Sequence, residues 1–255
     1  MLKELTKKSE SRKFNANLPV NFDFPSDSVG KRLLKEYGAI FVAQGVTVPN
    51  ALVFKNESEV SSFQSSIAKT KKNIGGFKVE LQTAAMKYLQ EAICEAEKNC
   101  LTITPRGADA AKRNYLETVR LWESRVNPGL EHWIKEGKLS ESKAKKICAL
   151  SSFEQVSEIF KLELKGMFFS KDLSKTIIYS VAPPGTSQHL SLLALDINEH
   201  NDERVREILA RHCWFQTVMS DLPHFTFLGV SENELSNFGL KKNVDGRRSF
   251  WIPNL

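Results

Sequence analysis

The stretch "APPGTSQHLSLLALDI", residues 182–197, decides how this chain is read. A Pro- and Gly-rich turn leads to His189, and the apolar run that follows takes in Asp196. Across seven residues a straight strand would hold the two side chains about 23 Å apart, and two turns of helix about 10 Å apart. Neither spacing lets both reach one metal ion, whose ligand atoms lie about 3 Å from one another. If they share a metal, the chain folds back between them, with His189 on the incoming loop "GTSQH" and Asp196 inside a strand "LLALDI". A carboxylate in a buried run is costly unless it is paired, and a cation is the natural partner.

A third ligand is offered by "SDLPHFTFLG", residues 220–229. Pro223 discourages helix there. Strand alternation then sets His224 and Thr226 on one face, with Phe225 and Phe227 on the other. Two histidines and a carboxylate leave the fourth tetrahedral position to water, the pattern of catalytic rather than structural zinc. Asp221, three residues before His224, is placed to act as a general base without being a ligand.

Around these segments, the 255 residues suffice for one large domain or two small ones. A hydrophobic content of 41%, charged content of 26% and mean hydropathy of −0.31 belong to a globular protein. No apolar run approaches the roughly 18 residues of a membrane span. Residues 1–28 read as a flexible leader with no apolar core of a secretory signal, so the chain is expected to be cytosolic or a mature form. Residues 29–80 read as an N-terminal accessory element and 81–255 as the main domain. Strands are expected at "AIFVAQG", "ALVF", "LTIT", "TIIYSV", "LLALDI" and "HFTFLG", and "KKNIGG" reads as a break. Helices are expected at "ESEVSSFQSSI", "LQTAAMKYLQEAICEAEKN", "ADAAKRNYLETVRLWESRV", "PGLEHWIKEG", "SESKAKKICAL", "SSFEQVSEIFKLEL" and "DERVREILARH". Pro128 and Gly137 would open and close the fourth of these. Helices before strands imply an α+β fold, helices packed on a small antiparallel sheet.

"SQHLSLLALD" resembles the S-x-H-x-x-G-x-A-x-D segment of VanY-type zinc D-alanyl-D-alanine carboxypeptidases, in the lysostaphin/D-Ala-D-Ala/hedgehog metallopeptidase group. "DLPHF" is similar to the second motif of that group, most closely in its L-alanyl-D-glutamate endopeptidases. The resemblance covers residues 80–230. It implies a hedgehog/D-Ala-D-Ala peptidase-like fold, with His189, Asp196 and His224 as zinc ligands and Asp221 as the base. Upstream, "ITPRGADAAKR" resembles the arginine element of the group, which makes Arg106 a catalytic and substrate-holding cation; Ser187 takes the place of the substrate-facing serine. The implied function is zinc-dependent hydrolysis of peptidoglycan stem peptides, as a D-alanyl-D-alanine carboxypeptidase or an L-alanyl-D-glutamate endopeptidase, at the periplasm or cell surface. A zinc-containing binding module without catalysis is the third implied reading. Leu192 stands at the motif glycine, and a leucine is not expected to take the positive φ that glycine supplies there.

The net charge of +6 suits a polyanionic partner. The lysines are scattered, and no nucleic-acid-binding signature is present, so a nucleic-acid partner is not expected. Cys94, Cys100, Cys148 and Cys213 show no CxxC spacing. Cys94 could pair with Cys100, although buried free thiols are the plainer reading. His132, His200 and His212 read as surface or capping residues, and Arg113, Arg120 and Arg125 as solvated or salt-bridged ones.

Overall fold

The computed structural model describes residues 13–255; residues 1–12 of the expected leader lie outside the described residues. Packing extends upstream of Val29. Residues 13–16 are helical, Phe14 is fully buried, and Asn17 donates to the Asn237 carbonyl at 3.3 Å. The described chain divides into two compact units, the first comprising residues 13–52, 62–113 and 188–255 and the second residues 53–61 and 114–187.

The first unit mixes helices with three small antiparallel sheets, an α+β arrangement. Helix α1 (Ser28–Tyr37) starts where Asp27 accepts hydrogen bonds from the amides of Val29 and Gly30. Where "AIFVAQG" was expected to form a strand, the chain instead continues into a 3-10 helix, Gly38–Val42, with every residue buried. A short apolar run carries no period that separates these two outcomes. Strands β1 (Lys69–Ile74) and β2 (Phe77–Gln82) form a hairpin across the segment read as a break. Gly75 and Gly76 turn it with φ of 57° and 86°, and both values exact glycine or a near substitute in a two-residue turn. Helix α3 (Thr83–Lys98) follows as expected and buries Ala85, Met86, Leu89, Ala92 and Ala96.

"LTIT" forms no strand. Ile103 is buried, and the next pairing is a single antiparallel bridge from Pro105 to Ile197. Strand β3 (Ala194–Asp196) pairs with β5 (His224–Phe227), which also pairs with β4 (Trp214–Phe215) in the order β3-β5-β4. Helix α7 (Glu203–Arg211), capped by Asp202, packs on β4 and on α3. The tail forms a second hairpin, β6 (Leu240–Asp245) with β7 (Arg248–Pro253).

In the second unit, helices α4 (Tyr115–Lys135), α5 (Glu141–Cys148) and α6 (Ser152–Glu163) pack on one another. The two helices expected around Pro128 are one, since the ring sits inside α4. Capping boxes at Asn114/Glu117 and Ser151/Glu154 start α4 and α6. "TIIYSV" makes a 3-10 turn, Ile177–Tyr179, rather than a strand: the Glu163 carboxylate accepts from the Ile177 amide at 2.6 Å and from the Thr176 hydroxyl, so the backbone is satisfied without a ladder. "ALVF" is likewise irregular, tied by a bond from the Phe54 amide to the Gly185 carbonyl. Helix α2 (Glu57–Ser66) contains the boundary between the units. All four cysteines are free thiols, three of them exposed and only Cys213 buried, so Cys94 and Cys100 do not pair.

Candidate metal centre

The fold-back required between His189 and Asp196 is made by one 3-10 turn, Gln188–Ser191, followed by a residue in the left-handed region. That residue is Leu192, with φ of 57°. The expectation that leucine would not adopt a positive φ is therefore corrected. Its side chain is fully buried, its amide donates to the His189 carbonyl at 3.3 Å, and its carbonyl accepts from the Gln82 amide at 3.0 Å. Surrounding packing offsets a strain of roughly 1–2 kcal/mol.

The third donor comes from register. In the β3–β5 pair, Asp196 lies directly opposite His224, and Ala194 opposite Thr226. Directly opposed residues share one face of the sheet. A turn from Asp221 to His224 leads into β5, the His224 amide donating to the Asp221 carbonyl at 3.2 Å.

Segment 105–113 is pinned beside these strands. The Arg106 amide donates to the Asp196 carbonyl at 3.0 Å, and the Asp196 amide to the Ala110 carbonyl at 2.8 Å. His189 Nδ1 lies 3.0 Å from the Ala111 carbonyl, so this nitrogen carries the hydrogen and Nε2 carries the lone pair. Gln188 sets the other ring. Its Nε2 donates to the Tyr37 carbonyl at 2.9 Å, which leaves Oε1 as an acceptor for His224 Nε2 at 2.9 Å and for the Thr226 hydroxyl. In the neutral ring of His224 the lone pair is then on Nδ1.

Three donor atoms therefore converge: His189 Nε2 and Asp196 Oδ1 are 3.2 Å apart, His224 Nδ1 and Asp196 Oδ1 3.1 Å, and the two nitrogens 3.2 Å. Ligands around a tetrahedral zinc with bonds of 2.0–2.1 Å lie about 3.3 Å apart. A proton on His224 Nδ1 would serve only one of its two equidistant acceptors. A metal cation satisfies all three at once, so the donor set fits one. Both histidines are buried, and Asp196 is nearly so. Arg113, set aside as a solvated or salt-bridged residue, places Nη2 3.0 Å from Asp196 Oδ2, while its Nε is buried without a partner.

Burial and the nearby Arg113 charge push the His189 pKa down to about 4, against the pull of Asp196, so the ring is neutral near pH 7. Burial acts to raise the Asp196 carboxyl, but His189 and His224 outweigh it and hold the group well below the usual carboxylate range. Asp221 is raised, by burial first and by the Asp196 charge, against the opposing charges of His224, Arg113 and Arg106. Its carboxyl accepts no hydrogen bond from any described side chain or amide, which leaves it free to receive one from water.

Of the residues singled out in the sequence, His189, Asp196, His224, Asp221 and Arg106 all belong to the first unit. The Arg106 side chain is exposed, and its backbone makes the contact with Asp196. Ser187 is buried and is the last residue of the second unit. Gln188 and Arg113 were missed as parts of the centre. Only their place beside His189 and within "PRGADAAKR" could have marked them. His212 caps α7 and bonds Glu95 at 2.8 Å, as a capping residue should; His200 lies in a turn.

No family model matches the sequence, and no curated protein matches it. One similar solved structure is the crystal structure of a mutant of the vancomycin resistance D,D-pentapeptidase VanY, from a VanB-type resistance cassette, in complex with Zn(II). It is 14% identical, covers 65% of this chain and 82% of its own, and has a TM-score of 0.37. At that level of similarity no family is assigned, and the donor set has to stand on its own chemistry.

Proposed function

We propose that this chain is a zinc-dependent peptidase of the VanY-type group, acting on peptidoglycan stem peptides as a D-alanyl-D-alanine carboxypeptidase at the periplasm or cell surface. The observation that carries the reading is the convergence of three lone pairs, on His189, Asp196 and His224, within 3.1–3.2 Å of one another. The motif resemblance supplies the substrate class. A zinc ion held by these three residues supplies Lewis acidity toward a carbonyl and lowers the pKa of water.

The remaining work falls to the chain's own groups. Asp221 takes the proton of the attacking water and passes it to the leaving amine, and its raised pKa strengthens it as the base that takes that proton. Arg106, exposed next to Asp196, offers a guanidinium to the substrate carbonyl or terminal carboxylate. Ser187 is the proposed hydrogen-bonding residue for the substrate. Gln188 and the Ala111 carbonyl hold the two imidazoles in the tautomers that metal binding needs.

"DLPHF" favours a second reading, cleavage of an L-alanyl-D-glutamate bond. Mass spectrometry of muropeptides digested by the protein separates the two. Loss of a single terminal alanine supports the carboxypeptidase, a cut nearer the sugar supports the endopeptidase, and intact muropeptides contradict both. Asp221→Asn should keep its metal and lose hydrolysis by about 10²–10⁴-fold. Unchanged turnover in that variant would exclude Asp221 as the base.

A further inference from the structure

We propose that Arg113 is a positioning residue of the metal centre, one that restricts Asp196 to a single ligating oxygen. The inference rests on reading His189, Asp196 and His224 as metal ligands. Arg113 Nη2 lies 3.0 Å from Asp196 Oδ2, and the two side chains are only 16% and 14% exposed. Arginine and carboxylate groups this close commonly form a two-point fork, in which a second N–H meets the second oxygen. Here the fork is incomplete. Arg113 Nε is buried with no partner, and Asp196 Oδ1 is turned instead to His189 and His224.

A buried donor left without a partner destabilises the fold. The arrangement keeps that cost and in return divides the carboxylate, with Oδ2 on the guanidinium and Oδ1 toward the two imidazoles. The arginine is itself held in place. Gln64 Nε2 donates to the Arg113 carbonyl at 2.9 Å and to the Leu190 carbonyl at 3.1 Å, which ties segment 105–113 to the turn carrying His189. Without the guanidinium, Asp196 is free to rotate and offer both oxygens to the metal. The position that substrate and water need would then be filled by the protein's own carboxylate.

The test uses the full chain loaded with cobalt(II), which absorbs strongly in the visible when four-coordinate and weakly when five- or six-coordinate, together with zinc affinity measured by chelator competition. The wild type is expected to show the intense four-coordinate spectrum, and a weak one overturns the proposal without any variant. Arg113→Gln, checked for folding by circular dichroism, should bind zinc about 10–100-fold more weakly and lose visible cobalt absorption. Arg113→Lys keeps the cation and should recover part of both. If the glutamine variant does not fold, the lysine variant decides, through a several-fold loss of affinity and a weakened spectrum. A folded variant with wild-type zinc affinity and spectrum overturns the role of Arg113 and leaves the metal centre standing. A wild-type chain that binds neither zinc nor cobalt removes the metal centre itself.

Discussion

Leu192 shows how much one backbone conformation can decide. Its φ of 57° reverses the chain between two prospective ligands only seven positions apart, and its side chain is fully buried. Leu192→Gly relieves a strain of roughly 1–2 kcal/mol but removes a core side chain, a change that costs roughly 2–5 kcal/mol. The variant should unfold at lower temperature, with a net loss of up to about 4 kcal/mol by urea denaturation, and should retain bound metal. A gain in stability would show that the leucine packs less well than its burial indicates. The grouping of His189, Asp196 and His224 was legible in the sequence because rare residue types at fixed offsets stand out from apolar surroundings. Leu192 was misread because a rule about backbone preference was applied without the packing that overrides it. Gln188 and Arg113 were not legible as parts of the centre, since their roles come from contacts to Tyr37, His224 and Asp196 that lie far away in the chain.

The periodic helix α3 and the capped helices α5, α6 and α7 formed where their sequences indicated. The short apolar runs did not follow so simply. "LLALDI" and "HFTFLG" became β3 and β5 because they pair with each other, and that register sets Asp196 opposite His224. A slip of one residue would move the two side chains to opposite faces. "AIFVAQG" and "TIIYSV", equally apolar, found no strand partner and closed into 3-10 turns. The turn signal at Gly75-Gly76 was present in the sequence, and β2 alternates Phe77, Val79 and Leu81 with polar residues, but β1 is rich in lysine and lacks an apolar alternation. Within α4, Gly129 is explained by contact: a Cβ there would lie 2.4 Å from the buried Phe169 ring. Gly129→Ala should therefore destabilise the fold by roughly 1–2 kcal/mol despite the better helix propensity of alanine. Chemical denaturation checks this, and a stabilised variant would mean that the ring moves aside without cost.

Among the described residues no helix is long and apolar enough to cross a membrane, and the net charge of +6 is compatible with the wall peptide polymer proposed as substrate. The buried centre also sets how the metal-free protein responds to acid. With His189 held at about 4, the folded chain refuses a proton that the unfolded chain accepts below about 6.5. The His189 contribution to stability is thus complete above pH 6.5 and is lost as pH falls toward 4, by roughly 3 kcal/mol. Urea denaturation of chelator-treated protein at pH 7.5 and 4.5 should show this loss, and His189→Gln should show much less of it. An equal loss in the variant would assign the acid sensitivity to other groups. The most direct test of the metal centre is metal analysis of protein purified without chelator, alongside His189→Ala and His224→Ala. The account predicts close to one zinc per wild-type chain and almost none in either variant; a wild type with far less than one zinc, or variants that hold as much as it does, would contradict it.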